Sequence, residues 1–271
     1  MVKHSPPSAG FDTDFDYVEH RPYPLASGPW VMGQRWHDLL FAHWRFEPEE
    51  IQALLPPSLT VDTFDGFAWL AVVPFVMADV RLRGFAPIPR LSGFLELNVR
   101  TYVRSGDLAG VYFFSLDAER WLAVRVARYG AALPYFDARM ALRRRADWIG
   151  YRSRRTHRGA PAAELHAYYR PTGPVEFPRP GSLEYFLTER YRLLAARKDS
   201  TLVNIEIHHP PWPLQPAQCH IERNTMADWL GLQLDRPPDH LRFARFQDVQ
   251  TWWPRPVEPP VEDPGRRRGP V

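Results

Sequence analysis

The sequence predicts a mainly β fold, an antiparallel barrel or sandwich (α+β in the broad sense) carrying a few short helices. Three observations carry this. Strand-like runs outnumber helical ones by about ten to three, without the regular strand–helix alternation of a parallel sheet. The stretch SGFLELNVRTYV (92–103) alternates: Leu95, Leu97, Val99, Thr101 and Val103 share one parity, and Phe94, Glu96, Asn98, Arg100 and Tyr102 the other. In LTVDTFDGFAWLAVVPF, Asp65-Gly66 separates two strand-like runs and suits a tight turn.

Taken in order, residues 1–24 are polar and proline-containing, and residues 254–271 are rich in Pro and Arg; both are expected to be loosely ordered. Residues 25–253 contain no repeat, heptad or low-complexity linker, which predicts a single domain. A first strand is expected over 30–45. EPEEIQALLP then reads as a short helix, with Pro48 in the first turn and acidic residues near the positive end of the helix dipole. The Asp65-Gly66 hairpin follows, then strands at 75–83, 93–104 and 110–117. Asp117 can cap a helix over 118–130, where Leu122, Val126 and Tyr129 fall at i, i+4 and i+7.

Further strands are expected at 135–147, 149–156 and 164–170. PGSLEYFLTERYRLLAAR is the clearest helix and the longest expected. Ser182 is its N-cap, and Leu183, Phe186, Leu187, Arg190, Tyr191 and Leu194 form its inner stripe. Strands at 201–208, 217–223 and 241–252 complete the chain, with a short helix from Asn224 between the last two.

Composition removes several function classes. The 271 residues are 45% hydrophobic and 14% aromatic, enough for a substantial core. No apolar run approaches the ~20 residues of a membrane helix, and MVKHSPPSAG lacks the apolar stretch of a signal peptide. A cytoplasmic protein without a membrane partner is therefore the default expectation. The one cysteine, Cys219, rules out internal disulfides and any multi-cysteine metal site. The net charge is +3, and Arg266, Arg267 and Arg268 in the tail read as solvated rather than as a nucleic-acid contact. Homo-oligomerisation stays open.

Most chemical motifs are missing. There is no G-x-G-x-x-G, G-x-x-x-x-G-K-[ST] or G-x-S-x-G, so neither a nucleotide cradle nor a hydrolase elbow has local support. No cofactor is expected. His208 and His209 are adjacent, so on a strand they diverge; His37 and His43 share a parity but stand ~20 Å apart on an extended strand. No metal site is expected from them. Ser115 and Thr101 lack any spacing argument for a nucleophile. Trp252-Trp253 reads as a core edge or strand end.

Glu96, Asn98 and Arg100 remain. On a strand they form one row, ~13 Å from first to last. The row fits an exposed polar face paired across the sheet. It also fits a cavity wall, where Arg100 holds a carboxylate by a two-pronged contact and Glu96 orients it or moves a proton.

The stretches RWHDLLFAHWRF, LLPPSLTVDTFDGFAWLAVVPFVMADVRLRG, SGFLELNVRTYV, GVYFFSLDA, ALPYFDARM and SLEYFLTERYRL occur in that order. Together they resemble the bacterial family known as domain of unknown function 2071, over roughly residues 25–253. That family is similar in turn to acetoacetate decarboxylase, which implies a β-barrel-like sheet around a ligand cavity. The resemblance implies that Glu96 corresponds to a conserved cavity glutamate. In the decarboxylase a G-R-E segment is followed, three residues on, by Pro-Lys-Lys, and the first lysine forms a Schiff base. The corresponding segment here is ARYGAALPYFDARM, so Arg128 matches the arginine and Pro134 the proline. Tyr135 and Phe136 then stand where the lysines would be.

The resemblance thus implies Glu96 and Tyr135 as catalytic candidates, with Tyr135 either a general acid or a packing residue. Asn98, Arg100 and Arg128 are the ligand-binding candidates. Two functions compete: a lysine-independent enzyme acting on a small carboxylate or carbonyl compound, and a non-catalytic binder of a small anionic or apolar ligand. A protein-interaction or nucleic-acid module trails both.

Lysine content bears on the choice. The chain has 34 Lys and Arg together, of which only Lys3 and Lys198 are lysines. A Schiff-base lysine needs a lowered pKa, and these two lie in polar contexts, MVKHS and RKDS. Borohydride trapping with a keto acid should leave both unmodified; stoichiometric labelling of Lys198 would overturn this.

Overall fold

The computed structural model describes residues 15–87, 93–119, 133–197, 199 and 201–257. In chain order its elements are β1 (Met32–Phe46), α1 (Pro48–Gln52), β2 (Thr60–Val61), β3 (Ala68–Leu82), β4 (Phe94–Ser105), β5 (Leu108–Ala118), β6 (Tyr135–Arg145) and β7 (Trp148–Arg155). There follow β8 (Glu164–Pro171), α2 (Leu183–Thr188), β9 (Arg192–Ala196), β10 (Leu202–His208), β11 (Leu214–Asn224), β12 (His240–Thr251) and β13 (Arg255–Pro256).

The strands make one 13-stranded sheet that closes on itself twice. β12, β1, β3, β4 and β5 lie side by side as a wall. From β5 the sheet continues through β6, β7, β8 and β11 back to β12, a nine-strand barrel. A smaller ring leaves β5 through β9 and returns through β10 to β12. Apart from β5–β6 and β5–β9, the pairings are antiparallel. The mainly β expectation is met, and the fold is a barrel rather than a sandwich.

Two buried faces explain the wall's composition. Leu40, Trp44, Val72, Leu97 and Val99 point into the nine-strand ring, where Tyr151, Tyr169 and Phe243 complete the core. Leu39, Phe41, Val73 and Phe75 point into the smaller ring with Trp212. Tyr151, fully buried on β7, gives its hydroxyl proton toward the Glu96 carbonyl at 2.8 Å, tying the barrel core to the wall.

Period two does not run unbroken along β1. Asp38 adopts φ 53, and the pairing register with β3 shifts between His37 and Ala42. The inserted residue reverses the alternation, so Trp36 before it and Leu39 and Phe41 after it all face the smaller ring. The equal parity of His37 and His43 therefore does not put them on one face. Arg144 and Arg245 bind the Asp38 carboxylate and pin the bulge, with Arg245 at 2.7 Å.

Several expectations are corrected. The clearest predicted helix is helical only over Leu183–Thr188, although Ser182 caps it by accepting from the Tyr185 N–H at 3.2 Å. Its second half is β9, paired with β10. Glu189 ends the helix: its carboxylate accepts from the Trp212 N–H at 3.0 Å and from the Tyr191 hydroxyl, drawing the chain onto the sheet. Tertiary pairing thus overrides a helical stripe that is real in the sequence.

The Asp65-Gly66 turn forms, with φ 51 and 80, but closes only the Phe64–Phe67 bridge. β2 pairs with β4 instead, and β3 is one long strand spanning the two segments expected around residue 75. The helix expected from Asn224 is a single 3-10 turn, Asp228–Leu230. The helix expected over 118–130 falls almost entirely outside the described residues.

A buried ion pair joins β5 to β7. Arg155 meets Asp117 at 2.8 Å, with side-chain exposures of 1% and 0%. Breaking such a pair leaves one charge buried alone, so Asp117→Asn should cost about 3–5 kcal/mol in urea unfolding. Asp117→Leu combined with Arg155→Met should recover most of that loss; an equal or larger loss in the double variant would contradict this reading.

Candidate functional site

β4 is central in the wall, hydrogen-bonded to β3 on one side and β5 on the other, and over Glu96–Arg100 one of its faces lies against the barrel core and the other against the smaller ring. Leu97 and Val99 fill the barrel core. Glu96, Asn98 and Arg100 take the other face and line a cavity of about 290 Å³ inside the smaller ring. Their exposures of 3%, 6% and 9% rule out the open polar face. The rest of the lining is mostly apolar, with Phe75, Phe113, Leu116 and Trp212 prominent.

Each polar side chain is held differently. The Tyr135 hydroxyl donates to Glu96 Oε2 at 3.2 Å. Burial nevertheless pushes the Glu96 carboxyl up to about 8, reinforced by the Asp117 charge and opposed by the Tyr135 hydrogen bond. Glu96 is thus a protonated acid at neutral pH. Burial, with Glu96 beside it, drives the Tyr135 phenol well above its usual range. Tyr135 can donate a hydrogen bond but cannot serve as a base.

Arg100 donates from Nη2 to the Leu187 carbonyl at 3.4 Å, and its guanidinium lies 5.4 Å from the Phe41 ring and 5.9 Å from the Tyr102 ring. No carboxylate among the described residues pairs with it. Asn98 Oδ1 is buried without a hydrogen-bond partner. Glu96 and Arg100 share the cavity without forming an ion pair. Arg128, Lys3 and Lys198 lie outside the described residues.

Three lining residues were missed by the sequence reading. Arg190, assigned to a helix stripe, faces the cavity, and Asp62 holds it at 2.8 Å. His209 donates from Nδ1 to the Pro210 carbonyl at 2.8 Å; burial first, then neighbouring His208, His20 and Arg21, push its pKa down to about 3, so it is neutral. Trp212 packs 4.9 Å from Phe41, edge to face. The prolines of HHPPW are the only local signal that this stretch turns inward. His208 goes elsewhere, to Arg21 at 3.1 Å, as adjacency on a strand implied. Trp252 is buried, its indole N–H on the Gly28 carbonyl at 2.8 Å, while Trp253 is exposed at the cavity's edge.

Residues 33–248 match the model of domain of unknown function 2071, described as an uncharacterized conserved protein. The chain belongs to this family. It is 42% identical over 228 residues to the uncharacterized protein YqjF of Bacillus subtilis (strain 168), covering 84% of this chain and 93% of YqjF. Solved structures place the fold. An acetoacetate decarboxylase-like enzyme from Sphingomonas wittichii RW1 superposes with TM-score 0.57 at 16% identity, covering 89% of this chain and 99% of that one. Acetoacetate decarboxylase from Legionella pneumophila gives 0.57 at 15%, covering 94% and 98%. The enduracididine biosynthesis enzyme MppR, complexed with pyruvate, gives 0.58 at 11%, covering 86% and 93%. The fold is therefore acetoacetate decarboxylase-like. In it, Tyr135 meets Glu96, while Phe136 turns under the Arg155 guanidinium at 4.2 Å.

Glu96 makes stability depend on pH. Its folded pKa lies above the unfolded value of 4.5, so the unfolded chain releases this proton first as pH rises. Its contribution is complete below pH 4.5, declines toward pH 8 and levels off beyond. Glu96→Gln removes that decline, and its stability relative to the native chain should rise by a few kcal/mol between about pH 5 and pH 8. Urea unfolding across that range checks it, and a constant difference would show that Glu96 ionises freely.

Proposed function

We propose that the cavity binds a small carboxylate or carbonyl compound and that Glu96 exchanges a proton with it, without an amine intermediate. The observation that carries this reading is the pairing in one cavity of a buried carboxyl and a buried guanidinium, on one strand face, each without an opposite charge among the described residues. An isolated buried charge is costly in a fold that gains nothing from it. A ligand carboxylate would compensate Arg100.

The chemistry follows from protonation. A carboxylic acid near pKa 8 can give its proton to a carbonyl oxygen or enolate, and its conjugate base can take one from carbon beside a carbonyl. Tyr135 keeps Glu96 oriented by its hydrogen bond. The apolar lining strengthens both interactions by excluding water. Enolisation, hydration or a related lyase step lies within reach of these groups. The acetoacetate decarboxylase-like relatives and pyruvate-bound MppR support this class of ligand.

Deuterium exchange separates turnover from binding. With 2-oxo and 3-oxo acids in D2O, NMR should show exchange beside the carbonyl that slows about 100-fold or more in Glu96→Gln. Arg100→Lys should raise the half-saturating concentration, because the guanidinium fork is lost. Ligand retention without exchange, seen by mass spectrometry of molecules that co-purify, would mark a non-catalytic binder. The absence of both retention and exchange would overturn the proposal.

A further inference from the structure

Cavity shape and charge narrow the ligand beyond its two polar residues, resting on the Arg100 anchor proposed above. Val73, Phe75 and Met77 line the cavity in succession along β3, a rise of ~13 Å. They pair with Asn98, Glu96 and Phe94, while Ala71 pairs with Arg100 beyond them. Leu82, farther along β3 in the other direction, and Trp253 also line the cavity, yet are 51% and 68% exposed. The cavity is thus elongated, with the guanidinium at its inner end and an apolar opening at the other.

Its size also matters. A volume of about 290 Å³ equals roughly ten waters of liquid. A three- or four-carbon keto acid has about six or seven non-hydrogen atoms, too few to fill it at protein packing density. Charge sets a second limit. Arg190 is neutralised by Asp62 at 2.8 Å, and His209 gives its one N–H to Pro210. Among the described lining residues, Arg100 alone carries a positive charge with no carboxylate beside it. One anionic group matches it; a second, lying along Val73, Phe75 and Met77, would be buried unpaired.

We infer that the cavity takes an elongated, predominantly apolar monocarboxylate, medium-chain or aryl-alkyl, with its carboxylate at Arg100 and its body along Val73, Phe75 and Met77 toward Trp253. Both ends are required. The anion fixes the inner end, and the apolar body displaces solvent from the lining.

Isothermal titration of the full chain tests this with octanoate, 4-phenylbutyrate, butyrate, acetoacetate, suberate and octanamide. Octanoate and 4-phenylbutyrate should bind roughly tenfold or more tighter than butyrate or acetoacetate, because each buried methylene adds affinity. Suberate and octanamide should both fall behind octanoate, the first for its second charge and the second for having none. Arg100→Gln should erase the preference for octanoate over octanamide. Met77→Trp, which narrows the outer part of the channel, should weaken octanoate while keeping butyrate, provided its thermal transition shows it folded; the Arg100 comparison stands without it. Butyrate or acetoacetate binding as tightly as octanoate would overturn the elongated ligand and leave the Arg100 anchor intact. Acid binding unchanged in Arg100→Gln, or no acid bound at any length, would overturn both.

Discussion

Everything in this fold depends on a wall of strands buried on both faces. β12, β1, β3, β4 and β5 are shared by two closed rings, so each wall strand must satisfy a core on one side and a cavity on the other. Closure removes free edges from the wall, and two-sided burial removes the tolerance that a solvated face would give to polar side chains. A charged residue on such a strand must be paired, neutralised or matched by something that enters from outside. β4 makes the point at two of its cavity positions, Glu96 and Arg100.

The structure uses different answers for different charges. Asp117 is paired: Arg155 reaches it from β7 and stacks on Phe136. Glu96 is neutralised by keeping its proton, with Tyr135 as its hydrogen-bond partner. Arg190 is tied to Asp62. Arg100 has aromatic rings and a backbone carbonyl, which shelter a guanidinium without cancelling its charge. That contrast separates groups that hold the fold together from groups free to meet a ligand. Asp117 and Glu96 lie on neighbouring strands, and the charge of the first helps hold the proton on the second. Structural and chemical roles are therefore electrostatically linked across the wall.

Irregularities in the strands are what aim the cavity. The Asp38 bulge lets Trp36, Leu39 and Phe41 share a face that strict alternation would have divided. A register shift between Val99 and Arg100 does the same on β5, where Phe113 and Leu116 both face inward. Aspartate tolerates the positive φ of the first bulge, and the arginines bound to its carboxylate hold it in place. Bulges of this kind widen and bend a sheet, so a closed ring can keep a hollow interior.

The sequence by itself determined the class of fold, most strand positions, the Ser182 cap and the common face of Glu96, Asn98 and Arg100. These follow from local rules: period two, turn chemistry and capping act over a few residues and leave a readable pattern. The family resemblance reached further, to the cavity glutamate and to Tyr135 at the place of a lysine. What local pattern could not decide was settled by pairing between distant segments. Leu194 fits a helical stripe as well as a strand, and Glu189 bound to Trp212 drew the segment onto the sheet. β2 stood beside a sound turn and joined β4 instead. His209 and Arg190 reached the cavity from positions just outside β10 and β9, where the strand period no longer applies and, for Arg190, the helical stripe misleads. Whether the row on β4 met water or a cavity was likewise a tertiary matter, because alternation fixes which side chains share a face but not what covers that face.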